Sequence, residues 1–307
     1  FVYRNHEEPD MEKVSQLTTF INNFGYSVKM SKEQIHPKEL QKLLKNIEKY
    51  WTNRAEGYSQ VNLEELAGEK WPVWLSVIEE HMPKVERKRI RILDIGTGPG
   101  FFSIILSRAG YQVTAIDYTE EMLKKAKNNA GILADKIEWY QMDAQALRFA
   151  DNTFDMIVSR NVTWNLEHPD KAYYEWMRVL KPGGVLLNFD ANWYHHLFDE
   201  EKRAAYEADR NKVSSLGMHD DYTCTDIEAM EAIARQVPLS HIQRPEWDRQ
   251  ILKQLNGIQI QLDEKVWQRV WCEAEKVNNG STPMFMVACT KAPVQHTERL
   301  RLQAAMV

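Results

Sequence analysis

Arg91 to Gly110 reads RILDIGTGPGFFSIILSRAG, and the fold is decided by this stretch. Ile92-Leu93-Asp94-Ile95 is a short apolar run of the kind that makes a buried parallel strand. It ends in Gly96-Thr97-Gly98-Pro99-Gly100, and an apolar helical stretch begins at Phe101. Strand, glycine turn and helix build a ligand cradle. The glycines let backbone approach a ligand closely, and the helix start presents unpaired N–H groups. The alternating strands and helices downstream are expected to complete the same sheet.

The details select the ligand. A dinucleotide fingerprint is G-x-G-x-x-G. Here the third glycine arrives one residue early, at Gly100, and Phe101 fills the place reserved for glycine. Asp94 would repel a pyrophosphate but suits a cationic ligand. The next strand, Gln112 to Ile116, is closed by Asp117, about twenty residues on, where an acid can accept both hydroxyls of a ribose. A ribose, a positive group and no phosphate describe S-adenosylmethionine. At this point the chain resembles the class I S-adenosylmethionine-dependent methyltransferases, in particular the small-molecule, type 11/25-like members with an LDIGTGPG first motif. The resemblance runs from about Asn46 to Lys291 and rests on several ordered motifs.

It implies an α/β fold: a Rossmann-like, seven-stranded, mostly parallel sheet whose last strand is antiparallel, with helices on both faces. Residues 46–291 form the methyltransferase domain, with 193–244 inserted as a substrate lid after the fifth strand and 292–307 as a tail. The glycine motif implies cofactor contacts from Asp94, Gly96, Thr97, Gly98 and Gly100, and the second strand end adds Asp117, Tyr118 and Met122. The third strand, Ile137 to Gln141, ends in Met142-Asp143-Ala144. There the family sets an acid against the adenine amino group and a backbone N–H against the ring, which assigns Asp143 and Ala144. Beyond the fourth strand, Met156 to Ser159, Arg160 joins the cofactor set, and Asn161, Thr163 and Trp164 face the transferable methyl group. The N/D-P-P-Y/F tetrapeptide of base-methylating enzymes is replaced here by Ser159-Arg160-Asn161-Val162.

Asn46 to Tyr58 places Trp51, Arg54 and Tyr58 on one helical face. In the resembled family such a helix closes over the methionine half of the cofactor, which puts Tyr58 beside the cofactor and Trp51 and Arg54 beside the substrate. An ordinary core-facing stripe is the competing reading. Leu63 to His81 is expected to be the next helix, with Pro72 near its start, and Thr119 to Asn129 another, capped by Thr119. A helix from Asp170 to Leu180 should stop at Lys181-Pro182-Gly183-Gly184 with a glycine C-cap before the fifth strand, Val185 to Asp190.

The insertion, Trp193 to about Arg244, is aromatic and polar, with a helix expected over Glu200 to Val213. It supplies Trp193 and Tyr194 as substrate residues. Asp190, His195 and His196 are the candidate catalytic bases, because His titrates near neutral pH. No further ligand stands at coordinating spacing from the two histidines, so no metal is expected. Pro245 to Leu255 and Asp263 to Val277 read as helices, Gly257 to Leu262 and Pro283 to Thr290 as the sixth and seventh strands.

Composition bounds the function. Of 307 residues 43% are hydrophobic and 27% charged, ordinary for a globular protein. The net charge of −5 argues against a nucleic-acid partner, since phosphate neutralisation needs clustered Lys and Arg. Three cysteines, Cys224, Cys272 and Cys289, lie far apart without metal-ligand spacing, and an odd count fits a reducing cytoplasm. No apolar run approaches the ~20 residues of a membrane span. The expected activity is methyl transfer to a small molecule, with oxygen, nitrogen, sulfur and carbon acceptors all open, and the oligomeric state open too. RNA or protein methylation and a non-catalytic cofactor-binding scaffold are the alternatives.

Phe1 to about Lys45 stands outside this pattern. FVYRNHEEPDMEKVSQLTTFINNFGYSVKM followed by IHPKELQKLLKNIE resembles a segment of the ribonuclease R type of RNB exoribonuclease, without that family's acidic metal-binding motif. The resemblance implies an origin and no activity. A truncated or artificially joined reading frame, or a natural fusion, is expected to account for it. The segment reads as two amphipathic helices, Asp10 to Phe24 and Pro37 to Lys49, forming an appendage.

Overall fold

The computed structural model describes residues 37–221 and 225–293. The helix expected over Asp10 to Phe24, the residues Tyr222 and Cys224, and most of the tail lie outside the described residues. The chain divides into two units, 1–39 and 40–307, and every described strand belongs to the second.

Seven strands form one sheet: β1 (Arg91–Ile95), β2 (Gln112–Asp117), β3 (Ile137–Gln141), β4 (Phe154–Arg160), β5 (Leu180–Asp190), β6 (Ile258–Asp263) and β7 (Phe285–Lys291). Their order is β3-β2-β1-β4-β5-β7-β6. The first five run parallel, and β7 lies antiparallel between β5 and β6. Side chains alternate between two buried faces, as apolar runs covered on both sides must. Ile92, Met156, Val158 and Leu187 pack on one face with Trp74 and Phe102, while Leu93, Ile157 and Leu186 pack on the other with Tyr173 and Trp176. Trp74 meets Phe102 and Phe189 edge-on at 5.3 and 5.2 Å, a geometry that adds to area burial.

The helices depart from the sequence expectation where breaks are concerned. Pro37 to Lys49 is helical as expected but does not stop there. α1 (Pro37–Ala67) runs on for 31 residues through the Trp51 stripe and takes in Leu63. The chain breaks after Ala67, and α2 (Trp71–Glu79) starts afresh with Pro72 in its first turn, where a missing N–H costs nothing. α3 (Phe101–Arg108) and α4 (Glu120–Ala130) follow β1 and β2. After α5 (Pro169–Val179) the expected glycine cap is absent. Leu180 is already extended, Phe154 pairs with Leu180, and the Lys181–Gly184 stretch is a bulge at the start of β5. Gly183 adopts φ +80° there, and a Cβ on Gly184 would stand 2.9 Å from the Asp155 carbonyl. The insertion carries α6 (Glu200–Ser215) and α7 (Ile227–Ala234), and α8 (Glu246–Lys253) follows it. The single helix expected over Asp263 to Val277 is two, α9 (Trp267–Val270) and α10 (Glu273–Asn278). Cys272 between them is extended and its N–H donates to Glu275 at 2.7 Å, which starts the second helix.

One charged group is sealed inside. Arg244 is fully buried and donates to Asp190 at 2.6 Å and to both oxygens of Asp248 at 2.6 and 2.9 Å. Tyr173 donates to Asp248 at 2.5 Å and accepts from Asn188 at 2.8 Å. Burial opposes the charge on Arg244, yet the two carboxylates hold its pKa well above the ordinary value. This cluster joins the end of β5, α5, the last residue of the insertion and α8. Removing the guanidinium strands two buried carboxylates, which typically costs 3–5 kcal/mol. Arg244→Met is therefore expected to lower the urea unfolding free energy by about that amount, and a loss below ~1 kcal/mol would show the cluster to be hydrated.

Candidate functional site

A cleft opens beyond the carboxyl ends of β1, β2, β3 and β4, with about 1010 Å³ of empty space including its mouth. Its floor is the glycine turn. Asp94, at the end of β1, is buried and accepts from Thr97 and Ser103 hydroxyls, each at 2.7 Å. Burial raises its pKa against those two hydrogen bonds. Gly98 donates its N–H to Asp117 at 2.9 Å, and Thr119 donates to the other Asp117 oxygen at 2.8 Å. Burial, reinforced by the nearby Asp94 charge, pushes the Asp117 carboxyl up to about 6. Gly96 is indispensable to this floor. Its φ is +64°, and a Cβ would stand 2.2 Å from Val162 in the loop after β4.

The walls come from three directions. Tyr118, Thr119 and Met122 follow β2; Met142, Asp143, Ala144 and Gln145 follow β3. Asp143 turns its chain by accepting the Gln145 N–H at 2.8 Å. Arg160, Asn161, Val162, Asn165, Leu166 and Glu167 follow β4. The roof is α1, which contributes Leu44, Ile47, Trp51, Tyr58 and Asn62. These share a helical stripe with Glu65.

Arg160 is the single cation among the described lining residues. Its guanidinium is held bidentately by Glu65 of α1 at 2.7 and 2.9 Å. It also lies 4.5 Å from the Phe101 ring centroid and 5.2 Å from that of Trp74. The pair neutralises itself. The cleft is left with Asp94, Asp117, Asp143 and Glu167, an acidic surface unsuited to a diphosphate. Tyr58 sits beside this pair; its phenol is pushed up by burial, and the Asn161 side chain hydrogen-bonds it.

Most of the residues selected from sequence line this cleft, but nine do not. Thr163 is fully buried and its hydroxyl accepts from the Asn188 amide at 2.7 Å. Gly100 (φ +97°) lies behind the turn, where a Cβ would meet Ala126 at 3.1 Å, so it sets the contact of α3 with α4. Arg54 is one position off the lining stripe, whose inward place is taken by Ala55, 2% exposed. Trp164 stacks on Tyr194 at 5.1 Å, and with Trp193 they join Leu43, Tyr50 and Met230 in the packing behind Ile47 and Trp51. Asp190 accepts the Trp164 N–H at 2.9 Å as well as Arg244, and is fully buried. It anchors the loop after β4 and does not face the cleft.

His195 and His196 line a separate, polar pocket with Asn192, Lys202, Gln243 and Thr282. His196 stacks on Tyr206 at 4.0 Å, and burial followed by the Arg203 charge pushes it down to about 4. The insertion is tied to the segment at the end of α10 by Ser281 N–H donating to Asp209 at 2.6 Å and by Arg210 on Asn278, and the two histidines line a pocket that shares no residue with the cleft. Leu44, Ile47, Asn62, Asn165, Leu166 and Glu167 are lining residues that sequence reading did not select. Continuing the Trp51–Tyr58 stripe in both directions finds the first three; nothing in the sequence marks the last three.

Comparison with known proteins agrees with this geometry. A family model described as a methyltransferase domain matches residues 93–188. The ubiquinone/menaquinone biosynthesis C-methyltransferase UbiE of Roseobacter denitrificans is 42% identical over 101 residues, 32% of this chain and 40% of that one. The chain thus spans about two fifths of the length of the first curated relatives it matches. A phosphatidylethanolamine N-methyltransferase of Cereibacter sphaeroides is 32% identical over 158 residues, covering 49% of this chain and 74% of that protein. Among solved structures, phosphoethanolamine N-methyltransferase 2 of Haemonchus contortus, in complex with S-adenosyl-L-methionine, superposes with a TM-score of 0.52 at 17% identity. It covers 76% of this chain and 56% of that one. With the glycine turn, the acidic strand tips and the sheet order all in place, the chain belongs to the class I S-adenosylmethionine-dependent methyltransferases.

Proposed function

We propose that the protein transfers a methyl group from S-adenosylmethionine to a small-molecule acceptor by in-line displacement. The observation that carries the reading is the convergence of Asp94, Asp117 and Asp143, at three neighbouring strand ends, on one cleft whose only lining cation among the described residues is already paired. The residues fit the cofactor. A side chain at Gly96 would strike Val162, and Gly98 holds φ +53°, a conformation that side chains rarely adopt; Asp117 has lone pairs left for a ribose diol, and Asp143 faces the opening as an acceptor for an amino group. Tyr118, Met122 and Ala144 supply the apolar sides of the adenine slot, and Thr97 and Arg160 complete the methionine end.

When bound, the sulfonium supplies both an electrophilic methyl group and its own leaving group. The protein's part is alignment and exclusion of water. α1 covers the cleft with Trp51 and Tyr58, and the Arg160–Glu65 pair fixes that helix to the end of β4. The loop after β4, held by Asn161 N–H on the Phe189 carbonyl at 2.8 Å and by Asp190, forms the acceptor wall. In this reading Trp164, Trp193 and Tyr194 act from behind as packing, and His195, His196 and Asp190 supply no base. The first 45 residues, with their likeness to a ribonuclease R segment, take no part in the transfer. The odd cysteine count keeps the proposal in the cytoplasm, and no helix among the described residues is long and apolar enough to cross a membrane.

The deciding experiment is calorimetric titration with S-adenosylmethionine followed by a methyl-release screen over metabolite fractions; absence of binding ends the proposal. Asp117→Ala should weaken cofactor binding by at least ~1 kcal/mol, roughly fivefold, through loss of a charge-assisted contact. An unchanged affinity would remove the ribose assignment. The acid also sets a pH dependence. With its carboxyl raised to about 6, Asp117 is ionised at pH 7.5 and protonated at pH 5. Cofactor affinity should be flat above pH 7 and fall below pH 6, a slope that the Ala variant lacks. Stability of the free protein responds in the opposite sense. A raised carboxyl pKa means the folded state binds its proton more tightly, so this group adds stability as pH falls through 6. Isothermal titration and urea melts across pH 5–8 read the two trends separately.

A further inference from the structure

The loop after β4 carries a chemical signature of its own. Asn161 Oδ1, Asn165 Oδ1 and Glu167 Oε1 are all buried, all without a hydrogen-bond partner, and all belong to residues that line the cleft. Asn165 is 8% exposed, and its backbone N–H is already spent on the Val162 carbonyl at 3.0 Å. Asn161 holds φ +59°, with its side chain bonded to Tyr58. A buried acceptor left unpaired costs about 1–3 kcal/mol, so three on one wall ask for a ligand rich in donors. The cofactor's own donors have other partners in the reading above: Asp117 for the ribose, Asp143 for the adenine amino group, and Asp94, the acid suited to a cationic group, for the methionine ammonium. What remains for this wall is the acceptor molecule.

We propose that the methyl acceptor is a small amine, bound as its neutral form with its two N–H groups donated to the side-chain oxygens of Asn161 and Asn165. This inference rests on the methyl-transfer reading and names its substrate class. An amine fits because it brings two donors and still keeps a lone pair to point at the methyl carbon. A phenol or hydroquinol brings one O–H per oxygen, and a thiolate brings none and is repelled by Glu167 and Asp143. Leu44, Ile47, Trp51 and Leu166 receive an apolar body, and the acidic lining draws the cationic form of the amine from solution. In the transfer the nitrogen lone pair forms the N–C bond while the C–S bond breaks and its electron pair stays on sulfur. The positive charge passes from sulfur to nitrogen, and the product departs as a methylated ammonium carrying both N–H protons. The captured ammonium gives its third proton to solvent at the cleft mouth before it docks as the neutral amine, so the transfer itself needs no base; no histidine stands among the described residues lining the cleft.

The test uses the full chain. Benzylamine and phenethylamine are titrated by calorimetry into protein loaded with S-adenosylhomocysteine, and methyl release is measured with the same amines beside 2-methylhydroquinone and thiophenol. The amines should bind and be methylated. Asn165→Leu should cut amine binding and turnover at least tenfold while changing S-adenosylmethionine affinity less than twofold. Asn161→Gly, which accepts the left-handed backbone and removes only the side chain, should do the same and serves if the leucine variant fails to fold. Amines that neither bind nor react, methyl transfer confined to the hydroquinone or the thiol, or a cofactor affinity that falls in step with turnover in either variant would overturn the proposal. Wild-type protein that binds no S-adenosylmethionine would instead defeat the methyl-transfer reading beneath it.

Discussion

Everything about the cleft follows from the position of β1 at the reversal of strand order. β1 pairs with β2 on one side and with β4 on the other, so the chain leaving β1 and the chain leaving β4 part company at the carboxyl edge of the sheet. Parallel sheets open a crevice at such a point. The crevice stays open because the backbone around it is committed elsewhere. Thr97 N–H is taken by the Ile116 carbonyl, and both Asp117 oxygens hold backbone N–H groups. The turn is rigid before any ligand arrives, which is the condition for alignment to contribute to catalysis.

Charge completes what topology begins. Carboxylates gathered at strand ends must be kept out of bulk water to hold a ligand: burial raises the pKa of Asp94, and burial, with the Asp94 charge as a smaller addition, raises that of Asp117. The one guanidinium near them, on Arg160, is balanced by Glu65 and cushioned by aromatic rings. The field in the cleft therefore remains negative. The same pair ties α1 to the sheet, so the roof and the electrostatics of the site share one contact.

The sheet was legible because both of its signals are local. Apolar runs such as MIVS and VLLNFD mark buried strands, and the early third glycine with Asp117 marks the ligand. The helix breaks were less legible: Gly68 and Cys272 interrupt patterns whose apolar spacing continues across them. The misplaced residues share another cause. Periodicity tells which side of a helix is apolar but not where its centre falls, so the stripe read from sequence takes in Arg54 and does not reach Asn62 and Glu65. His195, His196 and Asp190 follow the fifth strand in sequence as cleft residues would. Asp190 is claimed by Arg244, some fifty positions downstream, and the insertion that carries the histidines is tied by Asp209 and Arg210 to Ser281 and Asn278, some seventy positions on; no spacing rule reaches that far. Asn165 and Glu167 lie in an irregular loop whose side-chain directions have no period.

Arg244 closes the insertion, and its counter-ions lie on either side of it, in β5 and in α8. Such an arrangement makes the inserted segment inseparable from its frame. A transplant that ended one residue short of the guanidinium would bring two bare carboxylates face to face in the interior, and one that carried the guanidinium into a host without Asp190 and Asp248 would bury an orphaned cation. An exchange of the inserted segment that keeps the interior neutral therefore has to move Arg244 together with both acids.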